Sequence, residues 1–290
     1  MSCRARMSEP LPPGLYIVAT PIGNLGDLTV RAADVLRRVN LVLAEDKRVT
    51  AKLLAHVGAK ARMQAYHDHS SEEDRLAVLA RLSTQAVALV SDAGTPLISD
   101  PGFKLVRAAR AAGFAVHSLP GPCAAIAALT LSGLATDRFL FVGFLPSKAG
   151  ARGEALAELA GVRATLVFYE SGPRLGASLA AMAEVLGGRE AAVVREITKL
   201  HEETVAGTLG ELAQRYAESG PRGEIVVVVA PPLAPEPAGE EELDRVLAHA
   251  LAELSPSRAA AQVAEQLRLP RKQVYARALV LAGDKRDPLA

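Results

Sequence analysis

Short aliphatic runs alternate with segments of helical periodicity along the first half of the chain, and this alternation is the strongest constraint on its fold. The runs, at Leu15–Ala19, Leu41–Ala44, Ala86–Val90 and Phe114–Leu119, are rich in Val, Leu and Ala, as buried strands are. Between them, apolar residues recur at spacings of three and four, for example at Val30, Ala33, Val35, Leu36 and Val39. Such spacing predicts helices with one face on a sheet. The alternation therefore predicts an α/β fold with a mostly parallel sheet.

The same alternation restarts after Ser132 and Gly133. Runs at Phe139–Phe144, Thr165–Tyr169, Ala191–Arg195 and Ile225–Ala230 predict a second group of strands. A chain of 290 residues is long for one hydrophobic core, since domains commonly contain roughly 100–200 residues. The sequence therefore predicts a flexible N-terminus over 1–13, an N-terminal α/β domain over 14–132 and a second α/β domain over 133–230.

The C-terminal part has a different pattern. Pro occupies four of the seven positions from Pro231 to Pro237, and because Pro has no backbone N–H, this segment predicts an extended linker over 231–239. Three helical patterns follow, at Glu240–Glu253, Ser257–Leu267 and Arg271–Leu281, and predict a small all-helical domain over 240–290.

Basic residues predominate in the last part of this predicted helical domain. From Ser257 to the C-terminus there are seven Lys or Arg and three Asp or Glu. Two interpretations remain open: a helix-turn-helix-like module that contacts nucleic acid, and a solvated helical appendage or dimer contact.

Charge and cysteine content exclude several classes of protein. Lys plus Arg number 33 and Asp plus Glu 32, so nucleic-acid binding must use local patches. Two cysteines are too few for a disulfide framework or a structural zinc site and indicate a reducing compartment. Residues 1–13 lack the apolar core of a signal peptide, and the longest apolar run, Ala124–Leu131, is too short to span a bilayer. We therefore expect a cytoplasmic protein without a membrane partner.

Three loops follow predicted strands, where ligands bind in open α/β sheets. Ala19–Asp27 contains two glycines, and Asp27 or Thr29 can cap the next helix, although an ordinary strand-to-helix turn has the same features. Ser91–Gly102 concentrates turn-forming residues and two carboxylates. Leu119–Ile126 places two prolines and a glycine before a helix of small residues, which leave room for a flat ligand or permit tight helix packing.

The chain lacks two common nucleotide-binding motifs. No Gly-x-Gly-x-x-Gly follows the first predicted strand, and no Walker-type Gly-Lys-Ser/Thr is present. Nicotinamide oxidoreductases and phosphate-loop NTPases are therefore disfavoured.

His67-Asp68-His69 has the residue types of a metal site. No Cys or Glu cluster completes a ligand set, and two imidazoles alone do not make a zinc site. We therefore expect no metal here, and a substrate contact or a role in ordering the loop instead.

Seven motifs in order give the chain a specific resemblance. They are Ala19–Leu25, Ala44–Arg48, His67–His69, Ser91–Pro96, Pro120–Ala125, Phe168–Ser171 and Arg195–Lys199. Together they resemble the motifs of the ribosomal RNA small subunit methyltransferase I family, within the tetrapyrrole methylase superfamily. The resemblance runs from about Gly14 to Ala230, and the C-terminal part is similar to the family's small helical domain.

The resemblance implies a two-domain tetrapyrrole methylase-like α/β fold with a small C-terminal all-helical domain. It implies an enzyme that uses S-adenosyl-L-methionine to methylate the ribose 2′-oxygen of a cytidine in the decoding region of 16S small-subunit rRNA. The implied partners are this rRNA or the assembled small ribosomal subunit, and a second copy of the chain in a homodimer.

The resemblance also implies which residues hold the cofactor. These residues lie in loops that bind it across the superfamily: Pro21, Asp92, Ala93, Gly94, Thr95, Cys123, Ala124 and Tyr169. Asp92 would accept a hydrogen bond from the methionine ammonium or another polar edge of the ligand. The alternative for Asp92 is an ordinary turn or helix cap.

A ribose hydroxyl is a poor nucleophile until it loses its proton, so a general base is expected. The candidate catalytic residues are Glu45, Asp46, Glu170 and Glu196, of which Asp46 lies in the most densely charged motif. The alternative is that these carboxylates form ion pairs with Lys47, Arg48 or Arg195.

Four basic residues within or just after the matched motifs are candidates for contacts with RNA phosphates. They are Arg48, Arg174, Arg195 and Lys199. Each of them taken alone is better explained as a solvated surface charge, and it is their recurrence as a group that favours RNA contacts.

Two other functions compete with RNA methylation. A methyltransferase of the same fold could act on a tetrapyrrole intermediate, but this substrate would require a wide apolar trough and little phosphate-binding charge. A catalytically silent RNA-binding or assembly factor could keep the fold and only bind.

Overall fold

Five parallel strands form the first sheet, in the order β3-β2-β4-β1-β5. Their bounds are β1 Gly14–Val18, β2 Leu41–Ala44, β3 Arg62–Ala65, β4 Ala86–Leu89 and β5 Val116–Leu119. The computed structural model describes residues 10–67, 70–218, 221, 223–233, 240–267 and 269–284. Strands β1, β2 and β4 are buried along their whole length, because helices cover both faces of the sheet. The predicted parallel sheet is confirmed.

Helices connect these strands. They are α1 Val30–Arg38, α2 Lys47–Val57, α3 Glu72–Leu82, α4 Phe103–Ala111 and α5 Ala124–Leu131. The Thr29 side chain caps α1 by accepting a hydrogen bond from the N–H of Ala32, so Thr29, not Asp27, is the cap. The prediction that Val30 lies on the buried face is wrong: it is 82% exposed, because it begins the helix on the solvent side.

Strand β3 was not predicted from the sequence. Its residues, Arg-Met-Gln-Ala, are polar or small, and its burial pattern shows no fully buried residue. It pairs with β2 along only one side and forms the edge of the sheet. An edge strand needs no apolar face, so it leaves no periodic apolar signal.

The second sheet has the order β6-β7-β10-β8-β9 and is mixed. Its strands are β6 Phe139–Phe144, β7 Thr165–Ser171, β8 Glu190–Arg195, β9 Glu203–Thr208 and β10 Glu224–Val229, and its helices are α6 Ala149–Leu159, α7 Gly172–Leu186 and α8 Leu209–Arg215. Only β6 and β7 pair in parallel; the other three pairs are antiparallel. Strand β9 was not predicted, and it too is an edge.

Helix α5 connects the two sheets. It follows the last strand of the first sheet, and its buried residues Ala125, Ala128 and Leu129 pack against Val226 and Val228 of the second sheet. Small side chains permit this close packing of helix on strand. The loops that precede α5 are thereby brought next to the second sheet.

By contacts the chain divides into two compact units, Met1–Pro232 and Leu233–Ala290. The second unit contains α9 Glu240–Ala250, α10 Pro256–Leu267 and α11 Arg271–Asp284, which pack around Leu247, Val263 and Val274. The predicted linker lies mostly outside the described residues, since only 231–233 of it are described. The boundary between the two predicted α/β domains stays a prediction.

Within the described part of the chain, no helix combines the length and the apolar character that crossing a membrane requires.

Candidate active site

A cavity of about 390 Å³ lies where the two sheets meet. From the first sheet it receives the loops after β1, β2 and β4, and from the second it receives the end of β7 and the start of β10. Its lining comprises Ile22, Glu45, Asp92, Ala93, Gly94, Thr95, Ile98, Ser99, Asp100, Ala124, Phe144, Tyr169, Glu170, Ser171, Ile197, Gly223, Glu224, Ile225 and Val226. The carboxyl ends of parallel strands commonly bind ligands in this way.

Hydrogen bonds join the first two loops predicted to bind a ligand. Thr20 and Gly94 form an isolated antiparallel bridge, with N–H to carbonyl distances of 2.8 and 3.0 Å. The Thr20 hydroxyl also donates to the carbonyl of Ser91 at 3.2 Å. Gly94 has φ +84°, and a Cβ atom there would lie 3.3 Å from Cγ2 of Ile22. A side chain at position 94 would therefore be strained and would press on the cavity wall.

Strained backbone also marks the cavity. Among the described residues, the non-glycine residues with positive φ are Leu97, Ser99, Glu196 and Thr198. The first two lie in the loop after β4, and the other two lie in the turn after β8, beside the cavity residue Ile197. Unfavourable φ values persist where surrounding contacts fix them, and they concentrate at functional sites.

Six of the eight predicted cofactor residues line the cavity: Asp92, Ala93, Gly94, Thr95, Ala124 and Tyr169. Cys123 directly precedes α5 and packs, partly buried, against the hydrophobic cluster that contains Ile22, and Pro21 precedes Ile22 in the chain. The Thr95 hydroxyl donates to the carbonyl of Pro122 at 2.9 Å and so joins the second and third predicted loops.

Tyr169 forms the wall on the side of the second sheet. Its hydroxyl oxygen accepts a hydrogen bond from the N–H of Ala125 at 3.3 Å, in the first turn of α5. Its ring makes edge contacts with Phe141 and Phe144, at centroid distances of 4.9 and 5.6 Å. Burial raises the pKa of Tyr169, so the phenol stays neutral at physiological pH.

Asp46 serves as the cap of α2. Its carboxylate accepts hydrogen bonds from the backbone and side chain of Arg48, with a shortest side-chain distance of 2.6 Å. These bonds lower the pKa of Asp46 to about 2. A carboxylate with so low a pKa is a weak base, and Asp46 does not belong to the cavity lining. The expected alternative, an ion pair with Arg48, is what the structure contains.

Glu170 lines the cavity, but its carboxylate is engaged in hydrogen bonds with neighbouring residues of the protein. Its side chain is 1% exposed and accepts hydrogen bonds from the N–H of Ser171, at 2.8 Å, and from the hydroxyl of Ser178. Arg174 lies 3.4 Å away and donates to the carbonyl of Leu145. Glu170 and Arg174 therefore anchor the start of α7.

Glu196 and Lys199 form a bridge beside the cavity mouth. The Lys199 ammonium lies 3.0 Å from Oε1 of Glu196 and 2.9 Å from Oε2 of Glu224. The methylene groups of Lys199 pack directly on Gly23, where a Cβ atom would lie 2.5 Å from Cγ of Lys199. The ion-pair alternative thus holds for Glu196, although its partner is Lys199 and not Arg195.

The basic residues predicted to contact RNA differ in their exposure and in their ion pairing. Arg48 has a side chain that is 89% exposed, next to Glu45 and Asp46. Arg195 forms an ion pair with Glu203 on the neighbouring strand β9. None of the four basic residues lies in the cavity lining.

Several lining residues were not among the predicted site residues, notably Asp100, Phe144 and Glu224. Asp100 had a signal, because it is the second carboxylate of the loop Ser91–Gly102. Phe144 and Glu224 had none, since they lie at strand ends far from the first-sheet loops in sequence.

The described residues contain no group of three or more His, Cys, Asp or Glu side chains arranged to hold a metal ion. Asp68 and His69 of the His-Asp-His motif lie outside the described residues.

The cavity suits a ligand that combines a flat apolar ring with a charged end. Ala93, Gly94 and Ala124 leave space for a ring, while Asp92 and Asp100 offer carboxylates for a cation.

Comparison with known proteins identifies two families along the chain. Residues 14–213 match the family Tetrapyrrole (Corrin/Porphyrin) Methylases, and residues 237–282 match the RsmI C-terminal HTH domain.

Two curated relatives match nearly the whole chain. The ribosomal RNA small subunit methyltransferase I of Erythrobacter litoralis is 55% identical over 275 residues, covering 94% of this chain and 97% of its own. The protein of the same name from Mesorhizobium japonicum is 49% identical over 279 residues, covering 94% of each chain.

A solved structure shares the fold. The uroporphyrin-III C-methyltransferase of Thermus thermophilus, complexed with S-adenyl homocysteine, superposes with a TM-score of 0.52 at 23% identity. The match covers 74% of this chain and 96% of the other.

Proposed function

Because the chain belongs to the tetrapyrrole methylase family, and within it to the ribosomal RNA small subunit methyltransferase I proteins, we propose that it methylates small-subunit rRNA. The acceptor is the ribose 2′-oxygen of a cytidine in the decoding region of 16S rRNA, and the methyl donor is S-adenosyl-L-methionine. The observation that carries this proposal is the 55% identity to such a methyltransferase over nearly the full length of both chains.

The cavity fits the methyl donor. Gly94 has no side chain, and Ala93 and Ala124 are small, so a flat adenine ring can approach the backbone. Asp92 and Asp100 provide carboxylates for the methionine ammonium, and Thr95, Pro21, Cys123 and Tyr169 shape the surrounding wall. When bound, S-adenosyl-L-methionine supplies an electrophilic methyl group on a sulfonium.

The chain's own task in the reaction is to hold the acceptor hydroxyl and to accept its proton. Of the four candidate bases, Glu45 and Glu170 line the cavity. Glu170 is fully buried and bonded to Ser171 and Ser178. Glu45 is exposed and follows β2 directly, at the rim where an RNA strand can approach. We therefore assign Glu45 as the general base, and Asp46, Glu170 and Glu196 as residues that fix the surrounding turns.

Arg48 is the basic residue best placed to bind phosphate beside Glu45. Its exposed guanidinium can hold an RNA phosphate while the ribose lies at the rim of the cavity. Lys199, held between Glu196 and Glu224, keeps the turn after β8 next to the loop after β1. Arg174 and Arg195 act indirectly, through the carboxylates that they pair with.

The protein works in the cytoplasm on rRNA or an assembled small subunit, and it works as a homodimer. Support for the homodimer comes from β6, an edge strand without charged residues, on which Phe139 is 43% exposed. Such an uncharged edge favours association with another chain. Light scattering on the purified protein distinguishes a dimer from a monomer.

The deciding experiment is transfer of labelled methyl from S-adenosyl-L-methionine to small ribosomal subunits that lack the modification. We expect label on one decoding-region cytidine, within a linkage that resists alkaline cleavage because its 2′-oxygen is blocked. Binding of the donor without transfer to subunits or to rRNA would instead favour a silent binding factor. Transfer to a tetrapyrrole and not to RNA would favour the other chemistry of this fold.

A further inference from the structure

Three exposed basic residues of the C-terminal helical unit form no ion pair with the residues that the structure describes. They are Arg258, Arg271 and Lys272. By contrast, Arg245 pairs with Glu242, and Arg277 pairs with Asp244. The ion pairs described in this unit thus involve other basic residues.

Two of these cations occupy an unfavourable position. Arg271 and Lys272 begin α11, and the first turn of this helix contains no acidic residue. The N-terminus of a helix carries partial positive charge, so cations there are repelled and anions are attracted. Helix α9 follows the ordinary rule, with Glu240, Glu241 and Glu242 in its first turn. An anionic ligand removes the electrostatic conflict at α11.

The same turn borders a hollow. Ser257, near the start of α10, and Arg271, Lys272 and Tyr275 of α11 line an open hollow of about 360 Å³. It therefore combines two cations with the Ser257 hydroxyl and an aromatic ring. This set of donors suits a phosphate group.

An aromatic ring extends this basic surface along α11. Tyr275 is 42% exposed and lies one helical turn after Arg271 and Lys272. Val274 and Ala278 are buried against the other two helices, whereas Tyr275, at the flank of this buried stripe, remains exposed to solvent. Basic side chains next to an exposed aromatic ring are typical of surfaces that bind single-stranded RNA.

The order of helices fits the same interpretation. Three residues, 268–270, separate α10 from α11, the spacing of a helix-turn-helix. In such modules the first residues of the second helix contact the nucleic acid. Arg271, Lys272 and Tyr275 occupy these positions.

We propose that the first turns of α11 form an RNA-binding surface, in which Arg271 and Lys272 bind backbone phosphates and Tyr275 stacks on an unpaired base. Ser257 completes the phosphate site from α10. This inference rests on the proposed function, because it assumes that the substrate is RNA. It assigns to the helical unit a role in holding the substrate, separate from the cavity.

The test uses the full chain and a decoding-region RNA fragment, with binding measured over a range of salt concentrations. For the double variant Arg271→Ala/Lys272→Ala we expect roughly tenfold weaker binding at low salt. The slope of log affinity against log salt should fall by about 1.4, since each lost phosphate contact removes about 0.7 for single-stranded RNA. Arg245→Ala is the matched control, because Arg245 is an exposed cation of the same unit that lies outside the hollow. Its slope should stay that of the wild type.

Tyr275 is tested separately. Tyr275→Ala should weaken RNA binding several-fold or more with an unchanged salt slope, whereas Tyr275→Phe should bind like the wild type, because stacking requires the ring and not the hydroxyl. Both variants should bind S-adenosyl-L-methionine normally, which shows that the catalytic unit is folded.

The outcomes separate this inference from the proposed function. If the wild type methylates RNA but the double variant keeps its affinity and its slope, the surface on α11 is refuted and the function stands. If the double variant loses activity on assembled subunits but binds bare RNA normally, the surface contacts a ribosomal protein, which also refutes it. If the wild type binds RNA through these residues but transfers no methyl group, the surface stands and the methylation proposal fails.

Discussion

The Asp92 carboxylate accepts a hydrogen bond from the backbone N–H of Asp46, with Oδ1 and N 3.0 Å apart. Asp92 lies in the loop after β4, and Asp46 is the cap of α2, directly after Glu45. One side chain that lines the cavity thus also fixes the backbone next to the assigned base. The two alternatives that the sequence left open for Asp92, a contact with the ligand and a structural cap, are therefore compatible, because one carboxylate can serve both.

Replacing Asp92 tests both tasks. Asp92→Ala should raise the Kd for S-adenosyl-L-methionine by roughly ten- to a hundredfold, since a hydrogen bond to a charged group contributes about 1.5–3 kcal/mol. Asp92→Asn keeps an acceptor for the Asp46 N–H and should lose less affinity. Calorimetric titration measures both constants. An unchanged Kd in Asp92→Ala would restrict Asp92 to its structural task.

The assignment of Glu45 predicts a loss of turnover without a loss of donor binding. Glu45→Gln should lower kcat by roughly 10²–10⁴, the range for a general base, while the Kd for S-adenosyl-L-methionine stays within about threefold. Single-turnover transfer to RNA measures the rate.

Asp46→Asn is the matched control for Glu45→Gln. Asp46 has a pKa of about 2 and is bonded to Arg48, so it is a poor base. Asn is an equally good helix cap, and the variant should retain activity within a few-fold. A larger defect in Asp46→Asn than in Glu45→Gln would exchange the two assignments.

A side chain at position 94 should strain the loop after β4. Gly94→Ala places a Cβ atom 3.3 Å from Ile22 in a backbone conformation with φ +84°. We expect a loss of about 1–2 kcal/mol in the free energy of unfolding, together with weaker donor binding.

Gly153, within α6, provides the contrast to Gly94. A Cβ atom there meets nothing within 4 Å, so Gly153→Ala should stabilise the protein by about 0.5–1 kcal/mol. Urea unfolding followed by circular dichroism measures both variants, and equal effects of the two substitutions would contradict the strain at Gly94.

The Glu196–Lys199 bridge predicts a dependence of stability on acid. The hydrogen bond from Lys199, with that from the N–H of Glu224, lowers the pKa of Glu196 below its ordinary value of 4.5 despite partial burial. A lowered carboxyl pKa stabilises the folded state above pH 4.5, and this contribution is lost as the pH falls through the folded-state value.

Glu196→Gln should therefore be less stable than the wild type at pH 7, and the difference should shrink as the pH falls towards 3. Denaturant unfolding at several pH values measures the difference. A difference that does not change with pH would mean that the charge of Glu196 contributes nothing to stability.

The sequence predicted most strands because buried parallel strands require continuous apolar runs, as in β4, where Ala86–Leu89 are all buried. It did not predict β3 and β9, because edge strands pair on one side and carry polar residues. Val30 was assigned to the wrong face because apolar spacing alone does not show where a helix begins relative to the sheet.

The local motifs also predicted the ligand loops, since turns after strands require Gly, Pro and short polar residues that are visible in the sequence. They could not rank the carboxylates. Asp46, Glu170 and Glu196 are all carboxylates in charged motifs, and they differ in the side chain that lies within bonding distance, which is Arg48, Ser178 and Lys199 respectively. The surroundings of these carboxylates also include residues that are distant in sequence. For example, the backbone N–H of Asp46 donates to the carboxylate of Asp92, 46 positions away.

Local periodicity and turn chemistry are visible in the sequence, so they predict the buried strands, the class of fold and the loops that meet at its edge. Which side chains share the cavity depends on the packing of the two sheets. Helix α5 brings the first sheet's loops against the second sheet, and Phe144 and Glu224 become neighbours of Asp92 through packing that no local pattern records. The physical reason is that burial and hydrogen bonding act between residues that are close in space, whatever their separation in sequence.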